Sequence, residues 1–378
     1  MRKIVILGSY KPSTGGLSEY SHHMVEALKE EGGEIHVVCD VVEGRLGSYI
    51  EDGVFVHRVW SYNNPLSYLK IFAKIWQIRP GLVWTNLIFT LFADKKVPAF
   101  LSLLIPFVVR CMGFRSVVTL HHVFEHCSAD ETKFGAFKWY DKLGAYLATR
   151  FILLAHEVVT TSDKYTDVLR GKYRAKNVAT LPHGFIGQKG ARPAPLNNYN
   201  ILIFGKFGSY KKVEPAIALV KELRKRYPRC TLTIAGTNHP SYPGYLEGLQ
   251  EIHKNEDWIK FTGYVAEEDL QSLFHSTCLL LLPYSSNTGV SGVAHLACSY
   301  GLPIVATDLP DMLDMAHKEN MQVAYFNFDR PWSGVRAIEQ LFENPHRLIA
   351  QGRRNFEISQ ESSFDDHIVN YANAKLAL

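Results

Sequence analysis

The stretch SSNTGVSGVAHLACSYGLPIVATD, from Ser285 to Asp308, decides the fold because it joins a glycine-containing loop, a helical segment and an apolar strand. Glycines that open a helix let the backbone approach a ligand, and the free N–H groups of the first turn favour an anion. The stretch has no Glu, Lys or Arg before its final Asp308. We therefore predict a loop that holds a phosphate group through backbone N–H groups and hydroxyls. An N-capped core helix is the alternative.

The pattern around this stretch extends along the chain as short apolar runs that alternate with longer amphipathic segments. KIVIL, LSEYSHHMVEALKEEG and EIHVVCD begin a first series, and ILIFGKF, VEPAIALVKELRKRYP and CTLTIAG begin a second. This alternation predicts parallel sheets that are covered by helices on both faces. Between the two series lies a linker rich in Gly, Pro and Asn, near residues 186–198.

The length of 378 residues exceeds one ordinary core and favours two domains. We predict an α/β fold of two doubly wound, Rossmann-like domains, residues 1–188 and 189–355. A C-terminal helix, in residues 356–378, is expected to pack back towards the first domain. Because such sheets bind ligands at the carboxyl ends of their strands, the cleft between the domains is the expected site.

The composition argues against several classes of protein. The formal net charge of +4 gives no argument for nucleic-acid binding, and the cysteines have no C-x-x-C or zinc spacing. Their mostly apolar flanks favour buried free thiols in a reducing, cytoplasmic compartment. The apolar run in MRKIVILG is too short for a signal peptide and long enough for a buried strand.

One segment, VPAFLSLLIPFVVRCMGF at residues 97–114, is apolar enough to need a membrane test. It is interrupted by prolines and falls short of the roughly 20 apolar residues of a spanning helix. We predict a buried or partly exposed helix. The alternative is a surface that dips into the bilayer interface, which the neighbouring Lys95, Lys96 and Arg110 would favour.

Two features of the first domain follow predicted strands. Gly15 and Gly16 precede a helix, where they would let a ligand approach the backbone. A plain strand-to-helix turn is the alternative. His121 follows the strand SVVTL and would face the cleft, where it could donate a hydrogen bond or transfer a proton. A metal site with His122 and His126 and a packed or surface role are the alternatives for this histidine.

The second domain opens with ILIFGKFGSYKKVEP, in which Lys206, Lys211 and Lys212 follow the strand that ends at Gly205. Two or three ammonium groups beside a helix N-terminus suit a diphosphate, whereas a solvated basic loop is the alternative. These lysines would supply the positive charge that the Ser285–Asp308 stretch lacks. We find no P-loop, no G-x-S-x-G and no Ser-His-Asp pattern in the sequence.

Together and in this order, the motifs resemble the retaining glycosyltransferases of family 4, which have the GT-B fold. The resemblance covers nearly the whole chain, and its motifs are STGGLSEYSHHMVEALKEEGGEIHVVCD, VVTLHHV, TTSDKYTDVL, ATLPHGF, ILIFGKFGSYKKVEP, IKFTGYVAEEDLQSLFHSTCLLLLPY and YGLPIVATD. It implies that His121 contacts the substrate and that Lys206 and Lys212 stabilise the donor diphosphate as catalytic groups. The donor-binding residues predicted from the motifs are Gly15, Gly16, Gly205, Thr288, Gly289, Val290, Ser291, Gly292, Val293 and His295.

The chain departs from this family where a Glu-x7-Glu pair usually binds the donor sugar and the nucleotide ribose. Alignment on YGLPIVATD puts Thr288 and Leu296 at these positions, and a shift by one residue puts Asn287 and His295 there. Neither alignment supplies a carboxylate, so the chain resembles a divergent branch. His295 is a candidate replacement contact.

The resemblance implies transfer of a sugar, with retention, from a nucleotide diphosphate sugar to a hydroxyl acceptor in glycan or glycolipid synthesis. It implies no divalent metal, and we expect no other cofactor. The expected partners are the nucleotide sugar and a carbohydrate or lipid-linked acceptor, with peripheral contact to the inner face of a membrane. The alternatives are another GT-B enzyme, such as a sugar-nucleotide epimerase, and a catalytically silent nucleotide- or sugar-binding partner protein of GT-B fold, which the missing carboxylates motivate.

Overall fold

The chain forms two compact units in the computed structural model, which describes residues 3–13, 15–42, 47–126, 139–186, 199–239, 242–286, 291–330 and 332–376. The first unit contains Met1–His183 and Phe364–Leu378, and the second contains Gly184–Ser363. Apart from Ile186, the predicted linker at residues 186–198 lies outside the described residues.

The first unit is built on a mainly parallel sheet. Its strands are β1 (Lys3–Leu7), β2 (Glu34–Asp40), β3 (Gly47–Glu51), β4 (Val54–Trp60), β5 (Leu82–Leu87), β6 (Arg115–Leu120), β7 (Glu157–Thr160) and β8 (Val178–Thr180). In the described part of the unit their order is β3-β4-β2-β1-β5-β6-β7-β8, and β3 alone runs antiparallel to its neighbour. The order reverses between β1 and β5, so the loops near the carboxyl ends of these strands are the natural place for a ligand.

Helices pack on this sheet, and consecutive residues of β1 from Ile4 to Leu7 are all buried, as expected of a sheet covered on both faces. The helices are α1 (Gly16–Glu30), α2 (Tyr68–Ile78), α3 (Lys96–Ser102), α4 (Ile105–Cys111), α5 (Trp139–Ile152), α6 (Asp163–Tyr173) and, at the end of the chain, α14 (Phe364–Leu376). α14 packs against α1. Its residues Phe364 and Ile368 are buried, so the last helix is part of the first unit.

The apolar segment at residues 97–114 is not the single helix that the sequence predicted. It forms the two short helices α3 and α4, which are separated by Leu103 and Leu104. Pro106 lies in the first turn of α4, where its missing N–H costs no helical hydrogen bond. In the middle of one long helix the same proline would remove such a bond. Among the described residues, no helix is both long and apolar enough to cross a bilayer.

The second unit is built on a sheet whose described strands are all parallel. They are β9 (Asn200–Phe207), β10 (Thr231–Asn238), β11 (Ile259–Gly263), β12 (Leu279–Leu282), β13 (Ile304–Thr307) and β14 (Val323–Phe326). Their order in the described residues is β11-β10-β9-β12-β13-β14, which reverses between β9 and β12. Ile201 and Ile203 of β9 belong to one buried cluster, whereas Leu202 belongs to another. Because both faces are buried, the strand is apolar at every one of these positions.

The helices of the second unit are α7 (Val213–Leu223), α8 (Tyr245–Ile252), α9 (Glu267–His275), α10 (Gly292–Ser299), α11 (Pro310–Lys318), α12 (Ser333–Phe342) and α13 (Pro345–Glu361). The start of α13 is encoded locally, since the Asn344 side chain accepts a hydrogen bond from the Arg347 N–H at 3.1 Å and Pro345 occupies the first turn. α13 passes through residue 356, where the sequence prediction placed a boundary. The chain enters the first unit again only at Phe364.

Candidate functional site

In the second unit, the loops that follow β9 and β12 meet at the point where the strand order reverses. The N–H of Ser285 donates to the carbonyl oxygen of Tyr210 at 2.8 Å, and the Ser285 hydroxyl donates to the same oxygen at 3.2 Å. The two loops are therefore fixed against each other. This edge of the sheet is where doubly wound folds bind ligands.

Lys211 lies buried between these loops. Its Nζ donates to the carbonyl oxygen of Phe204 at 3.0 Å and lies 5.2 Å from the Phe207 ring centre and 5.3 Å from that of Tyr284. Among the described residues no carboxylate forms an ion pair with it. Burial lowers the pKa of this amine to about 7. A buried ammonium group with unused donors and no counterion is well suited to an anionic ligand.

Gly205 makes room for this amine. Its φ of +117° lies in the region that only glycine adopts without strain, and a Cβ atom there would stand 2.6 Å from the Lys211 Nζ. The same Cβ would stand 3.4 Å from a methyl carbon of Val293, in the first turn of α10. The end of β9, the buried amine and the start of α10 therefore converge. The donor contacts predicted for Gly205 and Val293 stay predictions.

The other two lysines of this loop are partly exposed rather than buried. Lys206 is the last residue but one of strand β9, and Lys212 is the left-handed residue, with a φ of +39°, that precedes α7. Within the described residues neither side chain forms an ion pair. Sequence reasoning assigned the diphosphate to these two and did not distinguish Lys211, because all three lysines are equally polar in the sequence. Of Lys206 and Lys212, only Lys212 has a left-handed backbone conformation.

The loop before α10 is described only from Ser291 onwards. Asn287, Thr288, Gly289 and Val290 lie outside the described residues, so the contacts predicted for Thr288, Gly289 and Val290 stay predictions.

Ser291 caps α10, since its hydroxyl accepts a hydrogen bond from the N–H of Ala294 at 3.3 Å. A Cβ atom on Gly292, the first residue of α10, would meet no atom of the described residues within 4 Å. The described part of this loop thus contains the N-capped helix that the sequence analysis gave as the alternative, and the phosphate contact predicted for the loop stays a prediction. Leu296, at one of the positions where a carboxylate is usual, is partly buried.

His295 lies fully buried behind this loop. Its Nδ1 lies 2.8 Å from the carbonyl oxygen of Ser291, and its Nε2 lies 2.7 Å from a carboxylate oxygen of Glu319. Burial lowers the pKa of this imidazole, but Glu319 and the Ser291 carbonyl outweigh that effect, and the pKa is raised overall. Both neighbours are oxygen acceptors, which favours an imidazolium that forms an ion pair with Glu319 and donates from Nδ1 to the Ser291 carbonyl. The side chain thus supports the Ser291 backbone from inside the unit, and the donor contact predicted for it stays a prediction.

In the first unit, the position just before α1 requires a glycine. Gly15 has a φ of +145° and precedes the helix. Gly16 is exposed, and a Cβ atom there would meet no atom of the described residues within 4 Å. One turn further on, the ring of Tyr20 packs edge-on against that of His121, with centroids 4.6 Å apart. The start of α1 and the end of β6 are therefore neighbours.

His121 follows β6, where its N–H donates to the carbonyl oxygen of Leu87 at 3.1 Å. Its Nε2 is buried and has no hydrogen-bond partner among the described residues. Burial, assisted by His122 and His183, lowers the pKa of His121 to about 3, so the ring is neutral near pH 7. A neutral imidazole in this place can donate or accept a hydrogen bond. The described residues contain no cluster of three or more His, Cys, Asp or Glu that could bind a metal ion.

Comparison with known proteins relates both halves of the chain to glycosyltransferases. Residues 14–185 match the family described as Glycosyltransferase Family 4, and residues 198–344 match the family described as Glycosyl transferases group 1. An uncharacterized glycosyltransferase of Haemophilus influenzae is 22% identical over 366 residues, which cover 96% of this chain and 96% of that protein.

Solved structures share the fold over almost the whole chain. Sucrose-phosphate synthase from Thermosynechococcus elongatus matches with a TM-score of 0.75 at 17% identity, covering 99% of this chain and 98% of that one. HepE from Anabaena, in complex with UDP, matches with a TM-score of 0.69 at 16% identity, covering 100% of both chains. WaaG, a glycosyltransferase involved in lipopolysaccharide biosynthesis, matches with a TM-score of 0.67 at 15% identity, covering 98% and 99%.

The two doubly wound α/β units and these structural neighbours define the GT-B fold, which confirms the predicted fold class. Both family matches describe glycosyltransferases. The chain is a glycosyltransferase of GT-B fold.

Proposed function

We propose that this protein is a retaining, metal-independent glycosyltransferase that moves a sugar from a nucleotide diphosphate sugar to a hydroxyl acceptor in glycan or glycolipid synthesis. The observation that carries the proposal is the buried amine of Lys211, which has no carboxylate partner among the described residues and lies between the β9 and β12 loops. A buried charge of this kind is costly to maintain unless a ligand of opposite charge uses it.

The donor side of the proposal lies in the second unit. HepE has been solved in complex with UDP and with UDP-glucose, and the catalytic domain of starch synthase IV from Arabidopsis thaliana in complex with ADP and acarbose. These likenesses support a UDP- or ADP-linked sugar as the donor. The open backbone at Gly292 and the lysines of the β9 loop are then the groups that meet the diphosphate.

The chemistry needs stabilisation of negative charge that grows on the leaving diphosphate. Cations and helix N-termini that are already in place act most strongly there, and the loss of one such donor typically costs about 2.7–4 kcal/mol of barrier. Lys211 is held in place by the Phe204 carbonyl and two aromatic rings. Lys206 and Lys212 add charge at the same strand end. No covalent nucleophile is needed for this role.

The acceptor side of the proposal lies in the first unit, at Gly16 and His121. The neutral His121 presents a buried Nε2 that has no partner among the described residues, and a hydroxyl of the acceptor or the donor sugar would satisfy it. The likeness to WaaG supports an acceptor class of lipid-linked glycans. We accordingly place the activity in the cytoplasm, at the inner face of a membrane.

Thermal unfolding in the presence of UDP, GDP, ADP or one of the corresponding nucleotide sugars tests the proposal. A ligand at a hundredfold excess over its Kd adds about 2.7 kcal/mol of stability. Lys211→Met should unfold at the same or a higher temperature than the wild type, because it removes a buried charge and keeps the volume. In the same variant, nucleotide should no longer raise the unfolding temperature, and turnover should fall roughly 10²–10³-fold.

Lys221→Met is the matched control. This exposed lysine lies on α7 and forms a surface ion pair with Glu256, so its loss should change neither binding nor turnover. Nucleotide binding that survives in Lys211→Met would refute the donor site. A wild type that binds no nucleotide would count against the transferase itself. The anomeric configuration of the product, measured by NMR, tests retention.

A further inference from the structure

Helix α11 holds the start of α10 through two side chains. Met315 and Glu319 stand four residues apart, so they lie on one side of the chain at the end of α11. The N–H of Ser291 donates to the Sδ of Met315 at 3.4 Å. One turn further along α10, the Nε2 of His295 lies 2.7 Å from a carboxylate oxygen of Glu319. A single element therefore contacts both the residue that caps α10 and the histidine one turn after it.

Ser291 is fixed on three sides. Besides the contact of its N–H with Met315, its hydroxyl accepts a hydrogen bond from the Ala294 N–H at 3.3 Å. Its carbonyl oxygen accepts from the Nδ1 of His295 at 2.8 Å. Because the N–H, the hydroxyl and the carbonyl of this residue all have partners within the second unit, they set the direction in which the first N–H groups of α10 point.

The two contacts of the His295 ring require its charged form. A neutral ring that donates from Nδ1 to Ser291 would turn the lone pair of Nε2 towards the Glu319 carboxylate. His295 is fully buried, and the Glu319 side chain is only 21% exposed, so the pair is largely shielded from water. Removing one partner of such a pair leaves the other buried without compensation.

The other groups around the pair are uncharged. The loop after β8 contributes the Phe185 ring, whose centroid lies 4.8 Å from that of the His295 ring. Cys298 of α10 lies near the same carboxylate, and burial and Glu319 raise the pKa of its thiol, which is therefore neutral. Among the described residues, Glu319 is thus the group that balances the charge of the imidazolium.

We propose that His295 and Glu319 are positioning residues for the donor nucleotide sugar. Their contact fixes Ser291, and through it the first N–H groups of α10, in the orientation that receives the diphosphate. His295 is fully buried and acts through Ser291 rather than by touching the donor. The inference rests on the proposed function of this loop, and it adds a role for Glu319, which no motif of the sequence indicates.

Two substitutions of Glu319 test the positioning role by calorimetry at pH 6.5. Glu319→Ala leaves the buried imidazole without its partner, and the Kd of the tightest ligand among UDP, GDP and ADP should increase at least about tenfold. Glu319→Gln keeps the shape, and its amide can donate to the Nε2 of a neutral ring whose Nδ1 still donates to Ser291. This variant should bind nucleotide as the wild type does.

Glu256→Ala is the matched control, because it removes the carboxylate of another His–Glu pair in the second unit. Glu256 lies 3.4 Å from the Nδ1 of His253. It precedes β11, at the amino end of that strand, whereas the donor is expected at the carboxyl ends. Its loss should leave the nucleotide affinity unchanged.

The stability of the free protein gives a second readout that needs no ligand. Burial lowers the pKa of His295, but Glu319 and the Ser291 carbonyl raise it overall above the ordinary value of about 6.5. The stabilisation by the charged ring is therefore complete below about pH 6.5 and is lost as the pH rises through the higher pKa of the folded state. The melting temperature of the wild type, relative to that of Glu319→Gln, should fall between pH 6 and 9. This difference cancels the contribution of Lys211, which both proteins contain.

The outcomes separate this inference from the donor site itself. A wild-type affinity in Glu319→Ala, or an equal loss in Glu256→Ala, overturns the inference and leaves the donor site in place. So does a Glu319→Gln variant that binds as weakly as Glu319→Ala, or a melting-temperature difference that is constant with pH. A wild type that binds none of the three nucleotides overturns the donor site and the inference together.

Discussion

Lys211 shows how a single residue acquires a role that its neighbours do not have. In the sequence it stands in a short loop with Lys206 and Lys212, and residue type does not separate the three. In the structure only Lys211 is buried, with its amine against the Phe204 carbonyl. Burial lowers its pKa to about 7, so the group titrates in the range in which the enzyme is expected to work.

This pKa predicts that binding of a nucleotide sugar is coupled to protonation. A diphosphate beside the amine favours the ammonium form and raises its pKa above about 7, so a proton is taken up on binding. The Kd should therefore increase as the pH rises above about 7, by up to tenfold per pH unit. Calorimetry in buffers of different ionisation enthalpy measures the proton. A nucleotide sugar is the right ligand because its diphosphate lacks the terminal phosphate that titrates near pH 6.

Lys212→Arg is the control for this prediction, since it keeps the buried amine and should keep the pH dependence. A wild-type affinity that is constant from pH 6 to 9, with no proton uptake in any buffer, would mean that Lys211 does not meet the diphosphate.

At the scale of elements, alanine at two glycines of the same site should affect the stability of the protein differently. Gly205→Ala puts a Cβ atom 2.6 Å from the Lys211 Nζ at a φ of +117°. We expect this variant to lose about 1–3 kcal/mol of stability and to lose nucleotide binding as well. The methyl group of Gly292→Ala would meet no atom of the part of the chain that the structure describes within 4 Å, so the stability of this variant should be unchanged or slightly higher. Its affinity for nucleotide should still fall, because the new methyl group occupies the space that we assign to the diphosphate.

Thermal unfolding and calorimetry on the two variants separate these effects. Full nucleotide affinity in Gly292→Ala would place the ligand away from the start of α10. An unchanged melting temperature in Gly205→Ala would mean that the β9 loop relaxes freely around Lys211.

At the scale of the whole molecule, the first unit is completed by the last residues of the chain. Phe364 is buried and packs edge-on against Tyr20, with ring centroids 5.0 Å apart, and Tyr20 in turn contacts His121. Phe364→Ala should destabilise the first unit by about 3–5 kcal/mol. Hydrogen exchange should show the loss in α1 and α14, and turnover should fall through the displaced His121.

Ile349→Ala, on the exposed side of α13, is the control and should have little effect. Protection of α1 that stays at the wild-type level in Phe364→Ala would show that the first unit is stable without this contact.

The sequence by itself determined the features that depend on near neighbours. Apolar runs such as ILIF mark strands buried on both faces, and helix starts such as Asn344-Pro345 are encoded by adjacent residues. The α/β class and the two doubly wound sheets follow from the order of these local signals. The ordered motifs also indicated a GT-B glycosyltransferase, which the family matches and the fold support.

Tertiary structure decided everything that depends on residues distant in the sequence. It buried Lys211 beneath the β12 loop, and it paired His295 with Glu319, a residue two elements further along the chain. It also brought Phe364 against Tyr20 from the opposite end of the chain. The physical reason is that periodicity and capping act within a turn or two, whereas burial and ion pairing depend on which elements pack together. No local pattern specifies those partners.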